Sequence, residues 1–175
     1  MRDDLLLSGG DDGVIQAWPT SENRLVHLAE ARLPRVVKAA GAGNDWLFLL
    51  NIGRFDEACT KARSLVESAT QDRSSHRLWW IATVIADTLD EVRQRHDGLL
   101  TLAELAIQTA IEIAEKPDGF LYSTLARVWC VKGDLQQAVA WQTKAFEVTP
   151  EYRVGDRQLH AERLEEFRKR AAGGR

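Results

Sequence analysis

From residue 35 to near its end the chain places apolar residues at helical spacing, in stretches broken by short polar or glycine-containing turns. The clearest pair of stretches spans residues 119–150. Phe120, Leu121, Leu125, Val128 and Trp129 form one apolar face, and Lys132-Gly133-Asp134 interrupts it with a glycine suited to a positive-φ helix end. Leu135, Ala138, Val139, Ala145, Phe146 and Val148 then form a second face that stops at Thr149-Pro150. Alanines 126, 138 and 145 allow close approach of the two helices, with Tyr122, Leu125, Trp129 and Phe146 filling the space around them.

The same punctuation is found earlier. A helix beginning at Val36-Val37, frayed or kinked at Gly41-Ala42-Gly43, carries its apolar load at Trp46 to Leu50 and at Ile52. Residues 51–58 repeat the turn of residues 131–138, and Ala58, Ala62, Leu65 and Val66 line the helix that follows. After a polar loop at 70–76, a helix over 77–93 is predicted from Leu78, Trp79, Ile81, Ala82, Ile85 and Leu89. Arg95-His96-Asp97-Gly98 breaks the pattern, and residues 99–114 resume it with a broad stripe that includes Leu102, Ala103, Leu105, Ala106 and Ala110. A last helix over 156–171 puts Leu159, Leu164 and Phe167 on one face and many charges on the other, before a frayed Gly173-Gly174-Arg175 tail.

The first 18 residues differ in texture. Leu5-Leu6-Leu7, a Ser8-to-Gly13 stretch of turn chemistry and the β-prone Val14 to Trp18 predict a β-hairpin.

Residues 119–150 resemble a tetratricopeptide repeat, through Tyr122, Leu125-Ala126, Trp129, Gly133-Asp134, Ala138, Ala145 and Pro150 and a length near the family's ~34 residues. Gly53 and Ala58 stand where Gly133 and Ala138 stand, and Ala103 and Ala110 repeat the seven-residue spacing of Ala138 and Ala145. Residues 5–18 resemble the centre of a WD-repeat propeller blade, with a Ser-Gly pair, an Asp-Gly turn and a strand ending in Trp18; Pro19 replaces the usual Asp. The following stretch, with a short helix expected over 22–31, resembles the exit from the last blade of bacterial WD-repeat proteins. The resemblances imply a mostly α fold: about three tetratricopeptide-like hairpins and a capping helix, preceded by a short β-hairpin. The implied divisions are 1–34 for the blade-like hairpin and exit helix, 35–155 for the helical repeats and 156–175 for the cap and tail. One hairpin is not a propeller, which needs several four-stranded blades, and a lone hairpin is marginal in water. Three explanations stay open: the tail of a longer protein, a hairpin docked on its own helical domain or on a partner, and an accidental match in a polar arm.

Composition narrows the classes. The 175 residues suffice for one core or a short array, and 45% hydrophobic with 28% charged residues is ordinary for a globular protein. A net charge of −3 argues against a nucleic-acid partner. Cys59 and Cys130 lie far apart in predicted helices and read as reduced, buried residues. The N-terminus lacks the pattern of a secretory signal, and no window has the ~18 apolar residues of a membrane span, so a cytoplasmic protein without membrane association is expected.

Candidate chemistry is sparse. Histidines 27, 76, 96 and 160 are scattered without zinc-type spacing and read as solvated surface residues. Neither glycine-rich stretch has a P-loop lysine or dinucleotide spacing, and Trp79-Trp80 reads as packing rather than an aromatic cage. No catalytic residue, metal or cofactor is expected. Tetratricopeptide arrays bind a peptide or helix in a groove lined by the first helix of each pair. By that resemblance the partner-binding positions are Thr88, Val92, Arg95, Ser123 and Arg127, with Cys130 at a related offset; the family's carboxylate-gripping Lys and Asn set is absent. The expected function is a non-enzymatic protein–protein interaction scaffold, the C-terminal part of a larger WD-repeat and tetratricopeptide protein. The alternatives are a regulatory segment of a larger signalling enzyme and an assembly module that self-associates through the N-terminal hairpin.

Overall fold

The computed structural model describes residues 5–9, 15–19, 45–91 and 95–173. The described part is mostly helical, with seven helices: α1 (Asp45–Asn51), α2 (Phe55–Gln71), α3 (Ser75–Glu91), α4 (Asp97–Ile113), α5 (Gly119–Lys132), α6 (Leu135–Val148) and α7 (Val154–Gly173). Leu5–Gly9 and Ile15–Pro19 are extended in antiparallel register, Leu5 opposite Pro19 and Gly9 opposite Ile15. The turn expected between these two segments, the exit helix expected at 22–31 and the helix expected to start near Val36 lie outside the described residues.

Chain reversal between helices rests on one repeated device. At the end of α5 the Gly133 N–H donates to the Cys130 carbonyl and the Asp134 N–H to the Trp129 carbonyl, both at 3.0 Å. At the end of α1, Gly53 donates to Leu50 at 3.2 Å and Arg54 to Leu49 at 2.9 Å, the same pair of bonds. Such bonds satisfy the last carbonyls of a helix when one residue turns left-handed, a conformation glycine adopts without a Cβ penalty; here φ is 77° at Gly53 and 89° at Gly133. Helix α2 ends in the same way, through Arg73 to Thr70 (3.1 Å) and Ser74 to Ala69 (2.9 Å). There the left-handed residue is Arg73, with φ 51°. This end also corrects the loop predicted at 70–76: α2 runs through Gln71 and α3 starts at Ser75.

Helix starts are capped by side chains that satisfy otherwise orphaned N–H groups. Asp118 accepts from Phe120 and Leu121, and Asp134 accepts from Gln137. His96 caps α4 by accepting from the Leu99 N–H through Nδ1, which leaves Nε2–H to donate to Asp56 of α2 at 3.1 Å.

Each helix packs on the next in sequence, and α1 on α3, α2 on α4, α3 on α5 and α5 on α7 are also in contact. The shared core includes Trp46, Leu50, Leu78, Ile85, Leu89, Leu99, Ile107 and Leu125. Leu105 and Val148, expected in the core, are exposed. Among the described residues no helix is long and apolar enough to cross a membrane.

Helix α7 docks through His160, Leu164 and Phe167. The predicted face began at Leu159, which is instead 40% exposed, because His160 and not Leu159 has the i, i+4, i+7 relation to Leu164 and Phe167. His160 also corrects the expectation of surface histidines, since it is wholly buried. Gln142, equally buried on α6, donates from Nε2 to the His160 carbonyl at 3.0 Å. His160 Nε2 has no partner among the described residues and lies against the first turn of α5. A methyl on Gly119 would come within 2.2 Å of Thr149 Oγ1 and 2.7 Å of His160 Nε2, so only glycine lets α5 start this close to α6 and α7.

Two stability predictions follow from these observations. Arg73→Gly relieves about 1–2 kcal/mol of left-handed strain against roughly 0.4–1 kcal/mol of added unfolded-state entropy, so its urea midpoint should rise slightly, whereas Gly133→Val should lower it. Burial and the nearby Arg163 hold the His160 pKa below its usual value, against the opposing pull of Asp156 and Asp118. Below the unfolded-state pKa of about 6.5 the unfolded chain therefore binds more protons than the folded one. Stability attached to neutral His160 is complete above that pH and declines as pH falls through it, so the difference in melting temperature between wild type and His160→Gln should shrink from pH 7.5 to 5.5. A difference independent of pH would refute the neutral, buried assignment.

Candidate functional site

A charged cluster lies where α3, α5 and α7 meet. Asp87 and Asp90 are one turn apart on α3, Arg127 projects from α5, and Arg163, Glu166 and Arg170 come from one side of α7. Helical spacing aligns each set: 163, 166 and 170 are three and four residues apart. Together with Cys130 and Phe167 these helices enclose a polar cleft of about 150 Å³.

Its charges are not evenly paired. Arg127 forms an ion pair with Asp87 across α3 and α5. Arg170 engages two carboxylates, Glu166 at 2.7 Å and Asp90 at 3.6 Å, and donates to Cys130 Sγ at 3.3 Å. Arg163 donates to the neutral Ser123 Oγ at 2.9 Å and forms no ion pair among the described residues. Burial, reinforced by the Arg163 guanidinium, brings the Arg127 pKa down to about 10. Burial likewise lowers Arg163, against the opposing pull of Glu166. Arg127 is thus paired with Asp87 and Arg170 with Asp90 and Glu166, while Glu166 also acts through space on Arg127 and Arg163. Burial also pushes the Cys130 thiol up, against the pull of Arg170, so it is not primed as a thiolate nucleophile. Cys59 is buried, Cys130 is half-buried, and both are free.

The predicted partner-binding residues fall in different places. Arg127 lines the cleft, whereas Ser123 is buried and meets it only through the hydrogen bond it accepts from Arg163 of α7. Thr88 is half-buried on α3. Arg95 is exposed, donating to Asp97 at 2.7 Å and to the Lys132 carbonyl at 3.2 Å. Val92 lies outside the described residues. Sequence reasoning missed Asp87, Asp90, Arg163 and Arg170. Their period on α3 and α7 was visible, but nothing in it said that α7 crosses the face of α5.

A second, half-open cavity of about 360 Å³ lies between the first turns of α3 and α5, walled by His76, Trp79, Lys116, Asp118 and Phe120. Its Trp79 indole N–H is committed to Thr124 Oγ1 at 3.0 Å, and His76 lies over the Trp79 ring. Trp79 is half-buried, while Trp80 meets Trp46 edge-on with ring centroids 5.7 Å apart and is 38% exposed. No group of three or more His, Cys, Asp or Glu side chains among the described residues could hold a metal ion.

The Asp87–Arg127 pair should couple the two helices. In a double-mutant cycle of Asp87→Asn and Arg127→Gln, the coupling energy should be about 1 kcal/mol, measured by urea denaturation; strictly additive changes would remove the pair as a link between α3 and α5. No protein-family model, curated protein or solved structure matches this chain.

Proposed function

We propose that the chain is a non-enzymatic interaction scaffold of tetratricopeptide type that takes a peptide or helix along the face built by the first helices of its pairs, α1, α3 and α5. The observation that carries this reading is the recurrence of one left-handed helix end at Gly53 and Gly133, each closing the first helix of a hairpin, together with next-but-one packing of those first helices. Repeated units that each contact their neighbours generate an extended surface, and such surfaces serve recognition rather than bond chemistry. The antiparallel register of the two N-terminal extended segments supports the companion reading that they are the remnant of a WD-repeat blade, and so that the chain is the C-terminal part of a larger protein.

Selection of random twelve-residue peptides on the immobilised chain tests the groove. An enriched peptide should bind with micromolar affinity and lose at least tenfold on Thr88→Arg, with folding checked by circular dichroism. A selection that enriches nothing, or binding indifferent to that substitution, removes the groove reading. For the larger protein the measurement is the intact mass in the source cells: a mass well above 19.7 kDa supports it, and a matching mass rejects it.

A further inference from the structure

We propose that the cleft between α3, α5 and α7 is a binding site for one oxyanion group, a carboxylate or phosphate carried by an acidic partner peptide and seated between Arg127 and Arg163. As a peptide-recognition subsite the inference rests on the scaffold reading; as an anion site it stands on the cleft alone.

The reason is electrostatic. A partly buried guanidinium has lost part of its hydration and is held at a cost unless an anion or a set of acceptors replaces the lost water. Among the described residues Arg170 bonds two carboxylates and Arg127 one, whereas Arg163 bonds the neutral Ser123 Oγ. Guanidinium carries five N–H donors in a planar fork, so most of those on Arg163 remain to be used. The Arg127 charge beside it adds repulsion that an anion between them would turn into two attractions.

Geometry permits such a guest. The cleft of about 150 Å³ corresponds to the volume of roughly five waters, enough for one carboxylate or phosphate with a little solvent. Two guanidinium forks suit the planar or tetrahedral edge of an oxyanion, which they can grip bidentately. Asp90 and Glu166 are bonded to Arg170 and Asp87 to Arg127; Glu166 acts on Arg127 and Arg163 through space, without an ion pair to either among the described residues. Ser123, buried on α5, fixes Arg163 from behind, so the site is assembled only when α7 is docked. A ligand there would in turn fasten α7 to α5.

The test uses the full chain at constant ionic strength, because screening by salt alone would mimic weak binding. Inorganic phosphate and a capped hexaglutamate peptide are each titrated against chloride, with the arginine Nε–Hε resonances followed by NMR. Phosphate should shift Arg127 and Arg163 saturably, and Arg163→Gln should weaken binding at least tenfold, while Arg54→Gln leaves it unchanged. If Arg163→Gln perturbs folding, Arg163→Lys provides the second variant, expected to retain part of the affinity. Hexaglutamate binding more tightly than phosphate identifies the peptide as the source. Phosphate binding without hexaglutamate binding keeps the anion site and overturns its peptide assignment, whatever the groove selection gives. Absence of a saturable shift at both arginines with either probe overturns the site itself, even if peptides bind elsewhere on the scaffold.

Discussion

The close contact of helix with helix at alanine is the constraint on which this structure depends. Ala58, Ala62, Ala69, Ala82, Ala103, Ala106, Ala110, Ala126, Ala138 and Ala145 all have zero exposure. They lie where neighbouring helices meet, and each brings the backbones nearer than a larger side chain would. The large residues then fill the spaces beside these contacts, as Tyr122 does by stacking on Trp141 at 6.0 Å between ring centroids. Close packing of this kind is overfilled when a small residue is enlarged, and the cost appears as strain. Gly119 is the extreme case, since there even one methyl collides with α6 and α7.

Helix α7 is attached by different means. Three of its residues are buried, and one of them is His160. The chain accepts a buried imidazole and a buried Gln142 at this junction, where Gln142 Nε2 donates to the His160 carbonyl at 3.0 Å and lies 3.5 Å from Nδ1, and where Gln142 Oε1 and His160 Nε2 have no partner among the described residues. An unsatisfied buried polar atom costs about 1–3 kcal/mol, so burying these two groups offsets part of what the apolar contacts of α7 contribute. At its other end Phe167 packs near Ala126 and Ala138, and Arg170 reaches Asp90 of α3. The cap is therefore specified by polar contacts as much as by apolar burial, and those contacts build the arginine cleft.

Local signals in the chain were readable where one element carried its own instruction. Gly53 and Gly133 announced their turns, because a left-handed helix end favours glycine, but Arg73 performs the same turn without announcing it. The stripes of α2, α3 and α4 were legible because period 3.6 places their apolar residues on one face. The errors fell where a polar residue took an apolar place. Val148 was expected inside and is exposed, while Gln142 is buried; Leu159 was expected inside and His160 takes its place. Hydrophobicity alone could not reveal those exchanges, since each polar group is tolerated through a partner on another helix.

The sequence by itself indicated a chain helical from residue 35 onward, the turns at Gly53 and Gly133 and most of the inward stripes of α2, α3 and α4, since these follow from periodicity and glycine within a few residues. It also located Ser123 and Arg127 as residues of interest. Tertiary structure alone decided that α7 lies across α5, that Arg163 and Arg127 come side by side, and that Arg170 bonds two carboxylates while Arg163 bonds Ser123. Those facts join residues about 40 positions apart, as between Ser123 and Arg163. Charge balance in a cleft is a sum over neighbours in space, and no local pattern encodes which neighbours those are.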